Sequence, residues 1–333
     1  MTPSPKPPPR RRPSVRRTKP TRSASGGIGT IDLPTGHKPH PELGLGLWNL
    51  GRWSPEEEAR EKATAARAYE RGLRWFDTAE VYGNGRSERI LGEMLHRTAA
   101  DGADAFVTTK VSREHLRATQ VRASLINSLE RLARTSVDLY LVHAPDPHVP
   151  LAETMGALEA LYQEGRIGAI GVSNFGLAEL EEAARHLSEA RITVNQLQYN
   201  LFDRDDADPV REYCRTHGIL IEAYTPLARG LLHGRYLDAK RIPPDVKRFA
   251  SRFFDPDRLP EILARGRALR DLAKHAGVPL PSIALHWLRS QGAVPLVGSS
   301  RPEQVDSNLE AWAIRPPERV LQEADAIARG DRA

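Results

Sequence analysis

The alternation of short apolar runs with amphipathic stretches restricts the fold of this chain more than any other feature. Eight strand-like runs follow one another: ELGLGLW (42–48), LRWFDTA (73–79), AFVTTK (105–110), VDLYLVHA (137–144), IGAIGVSN (167–174), TVNQLQYN (193–200), ILIEAYTPL (219–227) and AVPLVGSS (293–300). Helical patterns fall between them. Ser54-Pro55-Glu56-Glu57 spells a capping box with proline at the first helical position, opening a helix that ends near Gly72. Leu151, Met155, Leu158 and Leu161 share one face of a second helix, which stops at Gly165. Glu261–His275 and Ser282–Ser290 predict two more. Repeated strand–helix units make a parallel sheet. Eight units in about 300 residues fit one closed (β/α)8 barrel better than an open doubly wound sheet. The glycines of GLGLWNLG (44–51) open like a dinucleotide fingerprint but lack its glycine-to-helix turn, which also disfavours the open sheet. The expected fold is therefore α/β, a single (β/α)8 barrel over residues 26–333. About 65 residues separate the last two runs, and 228–256 carry no clear helical pattern; loops of that length are usually functional.

Charge is distributed unevenly. The 333 residues have a formal net charge of +5, which suggests an anionic partner. Eight of the 48 basic residues lie in the first 22 positions, however, leaving 40 against 43 acidic side chains in the other 311. The body is thus near neutral, at −3, and a nucleic-acid-binding body is disfavoured. Residues 1–25 also hold seven prolines and almost no apolar side chain, which predicts a disordered tail. The single cysteine, Cys214, excludes an internal disulfide and a cysteine-based zinc site, and reads as a buried thiol. No run of 18 apolar residues occurs, and no apolar segment follows the basic tail as a secretion signal requires. A cytoplasmic protein without membrane contacts is the expectation. Oligomeric state carries no sequence signal.

Barrels of this type place their chemistry at the C-terminal ends of the strands. Asp77 ends the second run, with Tyr82 in the loop beyond it; Lys110 ends the third and His143 the fourth. Each has a bland reading as well: a helix cap, a rim aromatic, a strand-end lysine or a core histidine. Lysine is nevertheless scarce here, 8 against 40 arginines, so a lysine at a strand end stands out. Together the four make an acid assembly. A tyrosine with a pKa of about 10 donates poorly at neutral pH, and a nearby ammonium would lower that value. Asp77 can hold Lys110, while His143 can hydrogen-bond the carbonyl oxygen that Tyr82 protonates. The set lacks a nucleophile and does not resemble a metal-ligand cluster. The missing reactant is a hydride, which a cofactor must bring.

FDTAEVYG (76–83), TTK (108–110), LVHAPD (141–146), GVSNF (171–175), QLQYN (196–200), YTPLARGLL (224–232) and VGSSRPEQVDSN (297–308) resemble, in order and spacing, the motifs of the aldo-keto reductase superfamily. The likeness runs from about residue 40 to 313. It is strongest to the branch of potassium-channel β-subunits and bacterial general-stress reductases. The resemblance implies a catalytic set of Asp77, Tyr82, Lys110 and His143, with Tyr82 as general acid. It implies NADP(H), with Ser173, Asn174 and Gln196 on the carboxamide and Tyr224 stacked on the ring. Leu227, Gly230 and Leu232, with Arg235 and Arg248 of the long loop, would hold the pyrophosphate. Gly298, Ser300, Arg301, Gln304 and Asn308 would hold the adenosine half. Arg301 suits a 2′-phosphate by bidentate pairing, and a helix opening at Ser300–Glu303 presents free N–H groups to phosphate. Trp48, Val81 and Phe175 are the expected substrate contacts, and favour a small or flat apolar carbonyl compound in an open, permissive site. Gln198 stands where many relatives have glutamate.

Two other classes fit the same sequence. A cofactor-binding sensor or regulatory subunit with weak turnover would keep all four residues. A barrel hydrolase or lyase would bind no nicotinamide.

Overall fold

The computed structural model describes residues 28–34, 36–48, 54–98, 102–239, 242 and 254–331. Two short strands come first, β1 (Thr30–Ile31) and β2 (His40–Pro41), paired antiparallel. Eight strands then close into a barrel: β3 (Gly44–Gly46), β4 (Trp75–Asp77), β5 (Phe106–Val111), β6 (Leu139–Val142), β7 (Ile170–Ser173), β8 (Ile192–Gln198), β9 (Leu220–Tyr224) and β10 (Ala293–Gly298). Neighbours are parallel, and β10 closes on β3 through Leu296 opposite Gly44. Each coincides with one of the eight predicted runs, β5 ending one residue beyond its run and β8 beginning one residue before it.

The helices are α1 (Pro55–Glu70), α2 (Arg86–His96), α3 (Ala118–Leu132), α4 (Leu151–Gln163), α5 (Leu177–Arg185), α6 (Asp208–His217), α7 (Leu259–Ala276), α8 (Leu280–Ser290), α9 (Pro302–Ala313) and α10 (Glu318–Arg329). The capping box of α1 forms as expected: Glu57 N donates to Ser54 Oγ, and Ser54 N donates to Glu57 Oε2. None of the described helices is long and apolar enough to cross a membrane. The predicted tail at 1–25 lies outside the described residues.

Period-two alternation decides which side chains enter the barrel. Phe76, Val107, Tyr140, Leu197 and Ala223 point outward into the core between strands and helices. Trp75, Phe106, Leu139, Leu141, Val194, Val294 and Leu296 form a second apolar cluster inside the barrel, joined by Leu33 of the N-terminal hairpin. His40 of β2 meets Trp75 and Phe106 edge-on, with ring centroids 4.3 and 4.7 Å away. The hairpin therefore packs against the interior cluster. Gly44 makes room for this packing, because a Cβ there would sit 2.1 Å from Trp75 Cε3.

Candidate active site

Toward the C-terminal ends of the strands the interior becomes polar. The alternation that turns Trp75 inward does the same for Asp77, and that of Phe106 does the same for Lys110. Both are buried, as is Gln196 of β8. Gln196 reaches Asp77 across the barrel, Nε2 donating to Oδ2 at 2.8 Å. Lys110 Nζ donates to Asp77 Oδ1 at 2.5 Å, to the Thr78 carbonyl at 2.8 Å and to the Tyr82 hydroxyl at 3.3 Å. The Tyr82 and His143 rings stand edge to face, 5.6 Å apart. The four predicted residues are thus brought together. Asp77, Tyr82 and His143 line an open cleft, while the wholly buried Lys110 lies behind Tyr82.

Electrostatics follow from burial. Desolvation raises Asp77, Lys110 pulls it down and the nearby Glu222 pushes it up, with a net value of about 6. Burial pulls Lys110 down, but Asp77 and Tyr82 outweigh it and hold the ammonium above its usual value. Burial raises Tyr82 more than Lys110 lowers it, so its pKa lies above that of a free phenol. The expected lowering is therefore present as a contribution but does not win. His143 is driven down to about 3 by burial and then by Lys110, which keeps its imidazole neutral.

The cleft has a volume of about 1600 Å³. That exceeds the roughly 300–1,000 Å³ of ordinary small-molecule sites. Beyond Asp77, Tyr82 and His143 it is lined by Ser173, Asn174, Gln196, Tyr224, Leu227, Gly230, Arg235, Gly298, Ser300, Arg301, Gln304 and Asn308, each of them expected from the sequence. Tyr224 Oη donates to Asn174 Oδ1 at 2.9 Å, and Asn174 Nδ2 donates to the His143 carbonyl at 3.0 Å. Asn174 takes a left-handed φ of +60°, which its short polar side chain tolerates. Gln304 Oε1 accepts from Ser300 N at 2.7 Å, and Asn308 Nδ2 donates to Ser299 Oγ at 3.1 Å. The first turn of α9 carries no side-chain cap; Pro302 has no N–H, and Gln304 N donates to the Arg301 carbonyl at 3.1 Å.

Two expected contacts are corrected. Phe175 is buried in the core between barrel and helices and does not line the cleft; the chain turns at Asn174, and Asn195 Nδ2 donates to the Phe175 carbonyl at 2.9 Å. Leu232 is likewise buried in that core, leaving Leu227 and Gly230 on the cleft. Trp48 and Val81 do lie on its rim, both exposed. Arg248 lies outside the described residues.

Sequence reasoning missed His233, Ser299 and Glu222, and covered Arg229 only as part of the 227–232 segment. Arg229 sits in the left-handed region, with φ of +56°, and stacks its guanidinium 4.5 Å from the centre of the Trp48 ring. Its Nε has no hydrogen-bond partner, and burial lowers the group to about 10. A cation so placed in a cleft calls for an anion. Glu222 had a legible signal, since it is a lone acid within the apolar run ILIEAYTPL.

Comparison with known proteins supplies the context. The sequence model of the Aldo/keto reductase family matches residues 42–329. The aldo-keto reductase YhdN of Bacillus subtilis is 31% identical over 287 residues, covering 82% of this chain and 86% of its own. The glycerol dehydrogenase of Gluconobacter oxydans superposes with a TM-score of 0.79 at 28% identity, over 90% of this chain and 94% of that one. An aldo/keto reductase of Klebsiella pneumoniae, crystallised with NADP and acetate, does so at 0.69 and 26%, over 87% and 92%.

Proposed function

Because the chain belongs to the aldo/keto reductase family of oxidoreductases, we propose that it reduces aldehydes and ketones to alcohols with NADPH, Tyr82 acting as general acid. One observation carries this reading. Lys110 Nζ donates to the Tyr82 oxygen, so the hydroxyl's own hydrogen is free to point into the cleft. The phenol is presented as a donor, with a cation behind it to receive the phenolate.

The residues fit the cofactor. The cleft is large enough to hold more than a small substrate, carries Arg229, Arg235 and Arg301 along its wall, and reaches the N-terminus of α9. NADP rather than NAD is favoured by Arg301, which is exposed at that helix end and suited to a 2′-phosphate. NADP is also the ligand of the Klebsiella pneumoniae relative.

NADPH, when held there, would supply the hydride that the carbonyl carbon receives. The chain does the rest. Neutral His143 donates an N–H to the carbonyl oxygen and orients it. Tyr82 gives that oxygen its proton as negative charge builds, and Lys110 stabilises the phenolate left behind. Asp77 keeps Lys110 in place and charged. Positioned proton transfer of this kind is worth about 10²–10⁴ in rate. Trp48 and Val81 at the rim suit a small or flat apolar substrate.

Tyr82→Phe tests the assignment. Turnover of a panel of small aldehydes should fall at least a hundredfold, while NADPH still quenches tryptophan fluorescence. Undiminished turnover in that variant would sink the mechanism.

A further inference from the structure

Beneath the catalytic group lies a second polar layer that the proposed chemistry does not use. His40 of the N-terminal hairpin and Glu222 of β9 are both wholly buried there. His40 Nδ1 lies 2.7 Å from the Pro41 carbonyl oxygen, and Nε2 lies 2.8 Å from Glu222 Oε1. A carbonyl oxygen only accepts, so Nδ1 carries a hydrogen. Two bare acceptors would repel at 2.8 Å, so Nε2 and Oε1 share one further proton. The pair is then neutral overall, wherever that proton rests.

The other oxygen of Glu222 is also in use. Gln196 Nε2 donates to Glu222 Oε2 at 2.6 Å and to Asp77 Oδ2 at 2.8 Å. A primary amide has two hydrogens, and both are now taken. The opposite flip would press Gln196 Oε1 against two carboxylates. Gln196 lines the cleft, so the group it can offer a ligand is its carbonyl oxygen, an acceptor.

We propose that Glu222, seated on His40, is a positioning residue. It locks the Gln196 amide with its oxygen toward the cleft, and so selects a cofactor whose ring substituent brings an N–H donor, as a primary carboxamide does. The inference rests on the nicotinamide reading above. Without Glu222, Asp77 restrains only one amide hydrogen, and the selection relaxes.

The test compares NADPH with its reduced 3-acetylpyridine analogue, which has a methyl ketone in place of the carboxamide and no N–H to give. Binding is read by tryptophan fluorescence, and KM and kcat by steady-state turnover. Wild type should prefer NADPH by about tenfold in binding and KM, the value of one such hydrogen bond. Glu222→Gln should keep that preference, because its oxygen accepts from Gln196 while its amide donates to His40 Nε2. Glu222→Leu should bring the preference close to unity. Should that variant fail to fold, His40→Leu/Glu222→Leu removes both polar partners together and should fold while still losing the preference. An unchanged preference in a folded leucine variant, or its loss in Glu222→Gln, overturns the proposal. If wild type binds neither dinucleotide, the nicotinamide reading itself falls. If wild type binds both equally, only the role of Glu222 falls.

Discussion

Asp77→Asn removes one negative charge at almost constant volume. Asp77 uses both oxygens, accepting from Lys110 on Oδ1 and from Gln196 on Oδ2. Asparagine can accept on one only, so in either orientation its Nδ2 faces another N–H donor. Lys110 would keep the Thr78 carbonyl at 2.8 Å and the Tyr82 hydroxyl at 3.3 Å, both neutral. Breaking a buried ion pair from one side costs about 3–5 kcal/mol. Against a total stability of about 5–15 kcal/mol, that loss is plainly visible. The sign of its pH dependence also follows. Without Asp77, burial pulls Lys110 below its unfolded value, so the native variant binds fewer protons than the unfolded chain. Its stability must then rise with pH up to that unfolded value, and the penalty must shrink. Urea unfolding followed by tryptophan fluorescence, at pH 7 and pH 9, measures both effects. Asp77→Asn should cost about 3–5 kcal/mol at pH 7 and less at pH 9. Combination with Lys110→Met should cost less than the two single changes added together. A loss below about 1 kcal/mol, or single costs that simply add, would refute the argument that this pair is mutually dependent.

Three further outcomes are expected. His143 titrates near 3 when folded against 6.5 as its ordinary value. The unfolded chain therefore takes up a proton that the native chain refuses, which contributes a loss of about 2 kcal/mol between pH 8 and pH 5; Asp77, raised to about 6, contributes in the opposite direction, and His143→Gln should remove only the His143 part in pH-dependent denaturation. Arg301→Ala should raise the KM for NADPH about tenfold and leave that for NADH nearly unchanged; equal effects on both would remove Arg301 from the 2′-phosphate. Cys214 is buried, and burial lifts its thiol to about 12. It should ignore a disulfide reagent in the native protein and react once in urea; fast native labelling would contradict its burial.

The barrel is legible in the sequence because strand and helix periods alternate over long stretches, and because each strand's inward positions follow from a period of two. Given Trp75 inside, Asp77 is inside as well. The hairpin is not legible, since Thr30–Ile31 and His40–Pro41 are too short to show any period. Phe175 was misplaced for a local reason. It follows β7 by two residues, and the left-handed turn at Asn174 reverses the side on which side chains emerge. Tyr82 shows a different limit. The sequence puts a cation near a phenol, but the net pKa depends on how much water the folded chain removes, and here desolvation outweighs the ammonium. Arg229 lies within the 227–232 segment expected at the pyrophosphate, but its own place on the cleft depends on the left-handed run around it, which leaves no periodic mark in the sequence.

Lys110, Asp77, Gln196, Glu222 and His40 form one connected, buried unit. Lys110 is neutralised by Asp77, and His40 shares its proton with Glu222. Gln196 ties the two pairs together through a single nitrogen. Buried charge is tolerated where each member finds its partner, and the same completeness makes the groups stiff. Stiffness is what the proposed reaction needs, because donors that are already aimed do not reorganise as charge develops. It also means that a change in one pair is felt by the other through Gln196. Removing Glu222 leaves Asp77 as the sole acceptor for Gln196, and removing Asp77 leaves Gln196 on Glu222 and Lys110 on neutral partners. Substitutions at these two carboxylates should therefore couple, although β4 and β9 are not neighbours in the barrel. The hairpin that packs against the interior would then act on cofactor selection without touching the cofactor, through His40 and one amide.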